Sequence, residues 1–207
     1  MSETKKQTSF VADAIRLMII TLIAGLLLGT VYYVTYEPIQ AALRDATVKA
    51  YKQVFPDAAD FTENPDSAAM IAAAEADIAA QGFGNVLIDG VIDAKDASGN
   101  VIGHVINSTS KDGFGGWVSI STGIKEDGTL NGIAFLSISE SAGLGMNARD
   151  TDWYHQFDGK KADKFSVTKT GATNDSEINA ISGATITSRA VTGAVNAAVY
   201  FVGNCLK

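Results

Sequence analysis

The sequence predicts an α+β fold, an antiparallel sheet flanked by helices, preceded by one N-terminal transmembrane helix. Three observations lead there. Near the N-terminus, Leu17 to Tyr36 runs without a charge; further on, apolar runs of period two are joined pairwise by turn-forming residues; and the chain closes on a helical apolar period. The 207 residues suffice for one anchor and one modest globular domain. The expected division is residues 1–16 as a cytoplasmic N-terminus, 17–36 as the membrane helix and 37–207 as an extracytoplasmic domain.

The anchor comes first. About twenty residues at roughly 1.5 Å each span a bilayer core of about 30 Å, which is the length of Leu17–Tyr36. Tyr32, Tyr33 and Tyr36 crowd one end of the run, where amphipathic rings favour the headgroup level. A cleaved signal peptide would have a shorter apolar region followed by small residues at a cleavage site, and the Glu37–Ala46 segment is a poor one, so the span is expected to be retained. Lys5, Lys6 and Arg16 precede it and place the N-terminus inside, with the rest of the chain outside the cytoplasm. Gly25 and Gly29 form a GxxxG within the span, a spacing that lets a second helix approach.

Beyond Pro38, apolar residues at Ile39, Leu43, Ala46, Ala50 and Val54 recur with helical spacing until Pro56 and predict an amphipathic stalk helix that packs back on the domain. Ser67–Ala80 is alanine-rich, carries Ile71 and Ile78 and stops before Gly82, so a second helix is expected there. The period then changes to two. Val86–Ile92 and Val101–Ile106 form one strand pair across Asp96–Asn100, and Trp117–Ile124 and Leu130–Ser139 a second across Lys125–Gly128. A last helix is expected from Thr187 to Val202, burying Ala190, Val191, Ala194, Val195, Ala198 and Val202.

Composition narrows the function. A net charge of −7 argues against nucleic acid and against a polybasic grip on anionic lipid. With Cys205 as its one cysteine, the chain can form no internal disulfide, CxxC pair or four-cysteine cluster of its own, so redox chemistry would need an organic cofactor or partners. His104 and His155 stand in no metal-ligand spacing and are read as packing or surface histidines, and no metal site is expected.

The chemistry concentrates just before the last helix. Ser182, Thr185, Thr187 and Ser188 put four hydroxyls at its start, while Gly183 and Ala184 leave the backbone uncovered. Free N–H groups and the positive end of the helix dipole favour an anion such as phosphate there. An ordinary Ser/Thr cap uses the same residues, so the segment alone leaves both readings open. Thr170-Gly-Ala-Thr173 repeats the pattern twelve residues earlier but runs into Asn174-Asp175-Ser176, which is turn chemistry with no helix start, and is read as a polar loop.

The string Ser182-Gly-Ala-Thr-Ile-Thr-Ser188 resembles the flavinylation motif of the FMN-binding subunits of two related respiratory complexes. These are the G subunit of the Rnf complex (ferredoxin:NAD oxidoreductase) and the C subunit of the sodium-translocating NADH:quinone oxidoreductase. The resemblance covers most of the chain: one N-terminal span, a glycine-rich turn at Gly113–Gly116, another at Gly143–Gly145, the Trp153–Lys160 stretch, then the motif and its helix. It implies that a separate flavin transferase joins FMN by a phosphoester to the threonine closing the motif, which here is Thr185. Ser182, Gly183, Ala184 and Thr187 of the motif, Glu140, Ser141, Gly143, Leu144 and Gly145 around the second turn, and Gly115, Gly116 and Trp117 around the first are the further residues expected to bind the cofactor. Backbone N–H groups of the turns would meet the ribityl chain or ring edge, and Leu144 and Trp117 would cover the ring face.

No base, nucleophile or metal for substrate turnover is apparent, so the expected role is an electron relay among the membrane subunits of an ion-translocating complex, with no independent substrate site. The length favours the Rnf G subunit over the longer C subunit. A membrane-anchored ligand-binding or sensor domain without covalent flavin is the alternative from another class.

Overall fold

The computed structural model describes residues 10–206, so Lys5, Lys6 and Lys207 lie outside the described residues. The chain divides into two units between Asp45 and Ala46. The first is the body of helix α1, Phe10–Val54, whose most apolar stretch has a mean hydropathy of 2.2 and is fully uncovered. It is long and apolar enough to cross a membrane. The hydroxyls of Thr21, Thr30 and Thr35 donate to the carbonyls of Met18, Leu26 and Val31 at 2.8–2.9 Å. That satisfies polar side chains within an apolar helix. Pro38 does not end the helix; it lies inside it, where it costs the one bond its missing N–H would have made to Val34.

The second unit is built on a five-stranded antiparallel sheet in sequential order, β1 (Asp60–Glu63), β2 (Val86–Lys95), β3 (Val101–Ser110), β4 (Val118–Lys125) and β5 (Leu130–Ile138). The two expected hairpins are present. β2 and β3 run longer than their apolar residues suggested because polar side chains carry the pairing on: Thr109 donates to Asp89 at 2.5 Å and its hydroxyl meets that of Ser119 at 2.7 Å. β1 was not expected; its Asp-Phe-Thr-Glu sequence has no clear period, and it is held by register with β2, Phe61 opposite Ala94. A short parallel pair, β6 (Ser166–Thr168) and β7 (Glu177–Asn179), forms a second sheet.

Two cores lie on opposite faces of the main sheet. One face takes α2 (Ser67–Ala80) and the last helix α4 (Thr185–Cys205), with Ile106, Ile120, Ile124, Val191, Val195 and Phe201 fully buried between them. Each such side chain contributes about 1.5–3 kcal/mol relative to exposure. Gly193 lets α4 press against the Phe83 carbonyl, where a Cβ would collide. The other face takes the end of α1: Ala50, Tyr51, Val54 and Phe55 pack over Ala94 and Val105. Gly103 and Gly123 make the room, since a Cβ on either would stand 2.6–2.8 Å from Phe55 or Val54. Burial of the predicted stalk therefore begins at Ala50, and Ile39 and Leu43 stay more than half exposed. Asn107 donates to the Tyr51 hydroxyl at 2.7 Å, and Asn131 to the Val54 carbonyl at 2.5 Å, tying the helix end to the sheet.

Candidate functional site

The site is assembled where the small sheet delivers the chain to α4. β6 and β7 pair Val167 with Ile178 and Thr168 with Asn179, and Ala180 N–H continues the ladder to the Thr168 carbonyl at 2.7 Å. Asn179 is gripped from the 3₁₀ segment Asp152–Phe157. Trp153 Nε1 donates to its carbonyl at 2.6 Å, and its N–H donates to Gln156 Oε1 at 2.9 Å. The chain then turns through Gly183, at φ +76°, a conformation that costs a side-chain-bearing residue energy. Ser188 staples this turn to the helix: its buried hydroxyl accepts the Ile181 N–H and donates to the Ala184 carbonyl, both at 2.9 Å.

Helix α4 consequently starts at Thr185 with Ala184 as its cap, a residue whose methyl side chain cannot bond the first turn. The first bond into the helix is Ser188 N–H to the Ala184 carbonyl, at 3.0 Å. Among the described residues, no acceptor is bonded to the N–H groups of Thr185, Ile186 or Thr187. Four orphan donors at a helix start are normal, but capping usually satisfies some of them.

These donors open into a cleft of about 580 Å³. It brings together most of the residues the sequence singled out. Glu140, Ser141, Leu144 and Gly145 line one side, and Ser182, Gly183, Ala184, Thr185 and Thr187 the other. Glu140 is fully engaged. Its two carboxylate oxygens accept the N–H groups of Phe114 and Gly115, at 2.8 and 3.1 Å, and so hold the glycine-rich turn against the cleft. Gly145 is pressed between two walls. A Cβ there would lie 2.7 Å from both Glu140 Oε2 and Thr187 Oγ1. Thr187 is 1% exposed, and its hydroxyl has no hydrogen-bond partner among the described residues although it borders the cleft.

Gly115, Gly116, Gly143 and Trp117 lie outside the lining, Gly115 reaching it only through its N–H bond to Glu140. The Trp117 ring, expected over the cofactor, instead has the Lys111 ammonium 5.0 Å above it. Phe114 is the aromatic side chain of the cleft, 71% exposed, and it was missed although it stands inside the Gly113–Gly116 turn. Ile181 and Ile186 were also missed; both lie within or beside the motif and could have been read from it. Lys169 lines the cleft too, and no local signal marked it, because only the β6–β7 pairing carries it there.

The repeated motif at Thr170–Thr173 is arranged differently. Thr173 spends its hydroxyl and its N–H on one oxygen of Glu177, at 3.0 and 2.7 Å. The backbone N–H, then the hydroxyl, of Thr173 hold the Glu177 carboxyl below the ordinary carboxylate range. Each histidine faces a carboxylate: His104 Nδ1 is 2.9 Å from Asp93 and His155 Nδ1 is 2.6 Å from Asp158.

With this geometry in place, the comparisons with known proteins are specific. Residues 113–200 match the family model of the FMN-binding domain. The chain is 33% identical to the G subunit of the sodium-translocating ferredoxin:NAD oxidoreductase complex of Acetobacterium woodii, over 92% of this chain and 90% of that protein. It is 32% identical to the G subunit of the proton-translocating ferredoxin:NAD oxidoreductase complex of Clostridium ljungdahlii, over 96% and 95%. The crystal structure of Shewanella oneidensis NqrC overlies 56% of this chain and 60% of its own, at 20% identity and a TM-score of 0.47.

Proposed function

The chain belongs to the family of G subunits of Rnf-type ion-translocating oxidoreductase complexes, and we propose that it is a membrane-anchored electron-transfer subunit whose FMN is bonded through its phosphate to Thr185. One observation carries the attachment site. Thr185 is the first residue of a helix whose first three N–H groups are open, and it borders a cleft onto which the unpartnered Thr187 hydroxyl also opens. The residues suit the group. About 580 Å³ lies within the usual range for a bound cofactor, roughly 300–1,000 Å³. Open N–H groups and the helix dipole favour a phosphate, and esterification leaves it one charge in place of two. Phe114, Leu144 and Ile186 offer exposed apolar surface that a flavin ring would cover.

Bound FMN supplies the ability to take up and release electrons singly or in pairs. The chain's own residues do the rest. Ser188 and Gly183 present Thr185, Glu140 holds the Phe114 turn, and Gly145 keeps the floor open. The one carboxylate that borders the cleft, Glu140, is occupied in holding the Phe114 and Gly115 N–H groups, which supports a relay between neighbouring subunits of the complex. A flavin transferase is the partner needed for maturation. The domains follow as residues 1–16 inside, 17–36 across the membrane and 37–207 outside, supported by Arg16 and the lysines before the span. A reporter active only in the cytoplasm and joined after the last residue should be silent; strong activity would reverse this orientation.

The attachment is tested by the intact mass of the purified chain, expected to equal the polypeptide plus FMN less one water. An unmodified mass from cells that contain the transferase would favour a sensor domain without covalent flavin. The relay reading is tested by stopped-flow absorbance: the isolated subunit should be bleached by dithionite and negligibly by NADH, since it has no dinucleotide-binding GxGxxG after a strand. Rapid bleaching by NADH alone would make it an enzyme in its own right.

A further inference from the structure

We propose that Lys169 is the specificity-determining residue of this cleft, the cation that, with the Thr187 hydroxyl, recognises the phosphate end of the flavin; this rests on the FMN reading above. Among the described residues, Lys169 is the one basic side chain in the lining. It is exposed and makes no ion pair or hydrogen bond among them. The cleft's one acidic side chain makes no ion pair with it: both Glu140 oxygens are turned to the N–H groups of Phe114 and Gly115. Lys169 directly follows Thr168, whose carbonyl receives the Ala180 N–H, so the strand pairing sets it beside the start of the motif.

A second, independent observation shows that a ligand acceptor is expected at the same end. The Thr187 side chain is 1% exposed, yet its hydroxyl borders the cleft, has no partner among the described residues and faces Gly145, the position where a Cβ would fill the gap. A hydroxyl that opens only onto the cleft and has no protein partner is free to donate to an acceptor bound there. Together with three open N–H groups, the two side chains complete a set of donors around one anion. A lysine on a flexible stem suits this role, because it follows a phosphate as a point charge without demanding one geometry.

The test separates phosphate recognition from ring binding. Full-length Thr185→Val chain, which cannot form the bond, is titrated in detergent at low salt with FMN and with riboflavin. FMN should bind about tenfold more tightly than riboflavin. Adding Lys169→Gln should weaken FMN about fivefold and leave riboflavin unchanged. Lys169→Arg should restore most of the difference, Thr187→Val should reduce it, and added salt should shrink it in the parent but not in the Gln variant. Equal weakening of both flavins by Lys169→Gln would make the lysine merely structural, and no preference for FMN in the parent would remove the phosphate subsite; either result overturns the proposal. Intact mass of the chain with Thr185 in place keeps the two readings apart. Covalent flavin there with an indifferent Lys169 sinks only the lysine, whereas a chain without flavin sinks the FMN reading itself.

Discussion

Gly-Ala-Thr occurs twice, ending at Thr173 and at Thr185, and the fold treats the two copies in opposite ways. Thr173 lies in the connection between the two strands of the small sheet, with its hydroxyl and N–H both given to the Glu177 carboxylate. Thr185 opens a 21-residue helix, its N–H unbonded and a cleft in front of it. An incoming phosphate would meet an anion at the first and the positive end of a helix at the second. The tripeptide therefore carries little chemistry by itself. What distinguishes the copies is Ser188, which is three residues after Thr185 and fastens the preceding turn to the helix; the matching position after Thr173 is Ser176, which bonds back to Asn174 within its own turn.

The largest effect should come from removing the acceptor hydroxyl itself. Thr185→Val is nearly isosteric and removes only the hydroxyl, so it should abolish covalent flavin while the purified chain keeps its fold. Thr173→Val should leave flavin content unchanged. In-gel flavin fluorescence after denaturation measures both. Persistent fluorescence in Thr185→Val would move the attachment elsewhere.

A smaller effect is expected from the floor of the cleft. In Gly145→Ala the new methyl would stand 2.7 Å from Glu140 Oε2 and Thr187 Oγ1, and neither can retreat freely: Glu140 is tethered by two N–H groups and Thr187 is buried in the first turn of α4. Overpacking of this kind costs about 1–3 kcal/mol, or a Tm lower by about 2–4 °C per kcal/mol for a domain of this size. Covalent flavin should fall several-fold. Gly99→Ala is the control, because it adds backbone strain at φ +85° in an open hairpin turn but meets nothing within 4 Å. Equal flavin loss in both variants would show that general destabilisation, and not the cleft, governs loading.

The large elements were legible because each has one dominant period. Leu17–Tyr36 had no charge to interrupt it, and the strands of the two hairpins alternated or ran apolar between clear turn residues. β1 was not legible, since its place depends on pairing with Lys95 and Ala94, far along the chain. Nor could Pro38 be read as a helix-interior residue; a proline after an apolar run usually marks an end. In the cleft, the motif and both glycine turns were visible as strings, and Glu140 was visible but its role was not, because the Phe114 and Gly115 N–H groups are brought to it by the β4–β5 hairpin. Lys169 was invisible for the same reason: parallel pairing of two three-residue strands leaves no periodic trace.

The smallest effect concerns the silent copy, and asks whether Thr173 is excluded by the carboxylate beside it or by the lack of a helix start. Glu177 is half-buried, and its carboxyl is held below the ordinary range chiefly by the Thr173 N–H and then by the Thr173 hydroxyl. A carboxyl whose folded pKa is depressed adds stability above its unfolded pKa, and that contribution is lost as pH falls through the lower, folded value. The turn around Thr173 should therefore keep its hydrogen bonds through the ordinary carboxylate range, near about pH 4–4.5, and release them only below it. The Thr173 amide-proton shift followed against pH would show an inflection on the acid side of that range; one at or above it would contradict the bond. Glu177→Gln retains an acceptor oxygen but no charge, so the inflection should vanish and the loop should persist. Thr173 should still carry no flavin in that variant, because removing an anion creates neither open helix N–H groups nor a cleft. Flavin on Thr173 in Glu177→Gln would mean that charge alone separates the two threonines.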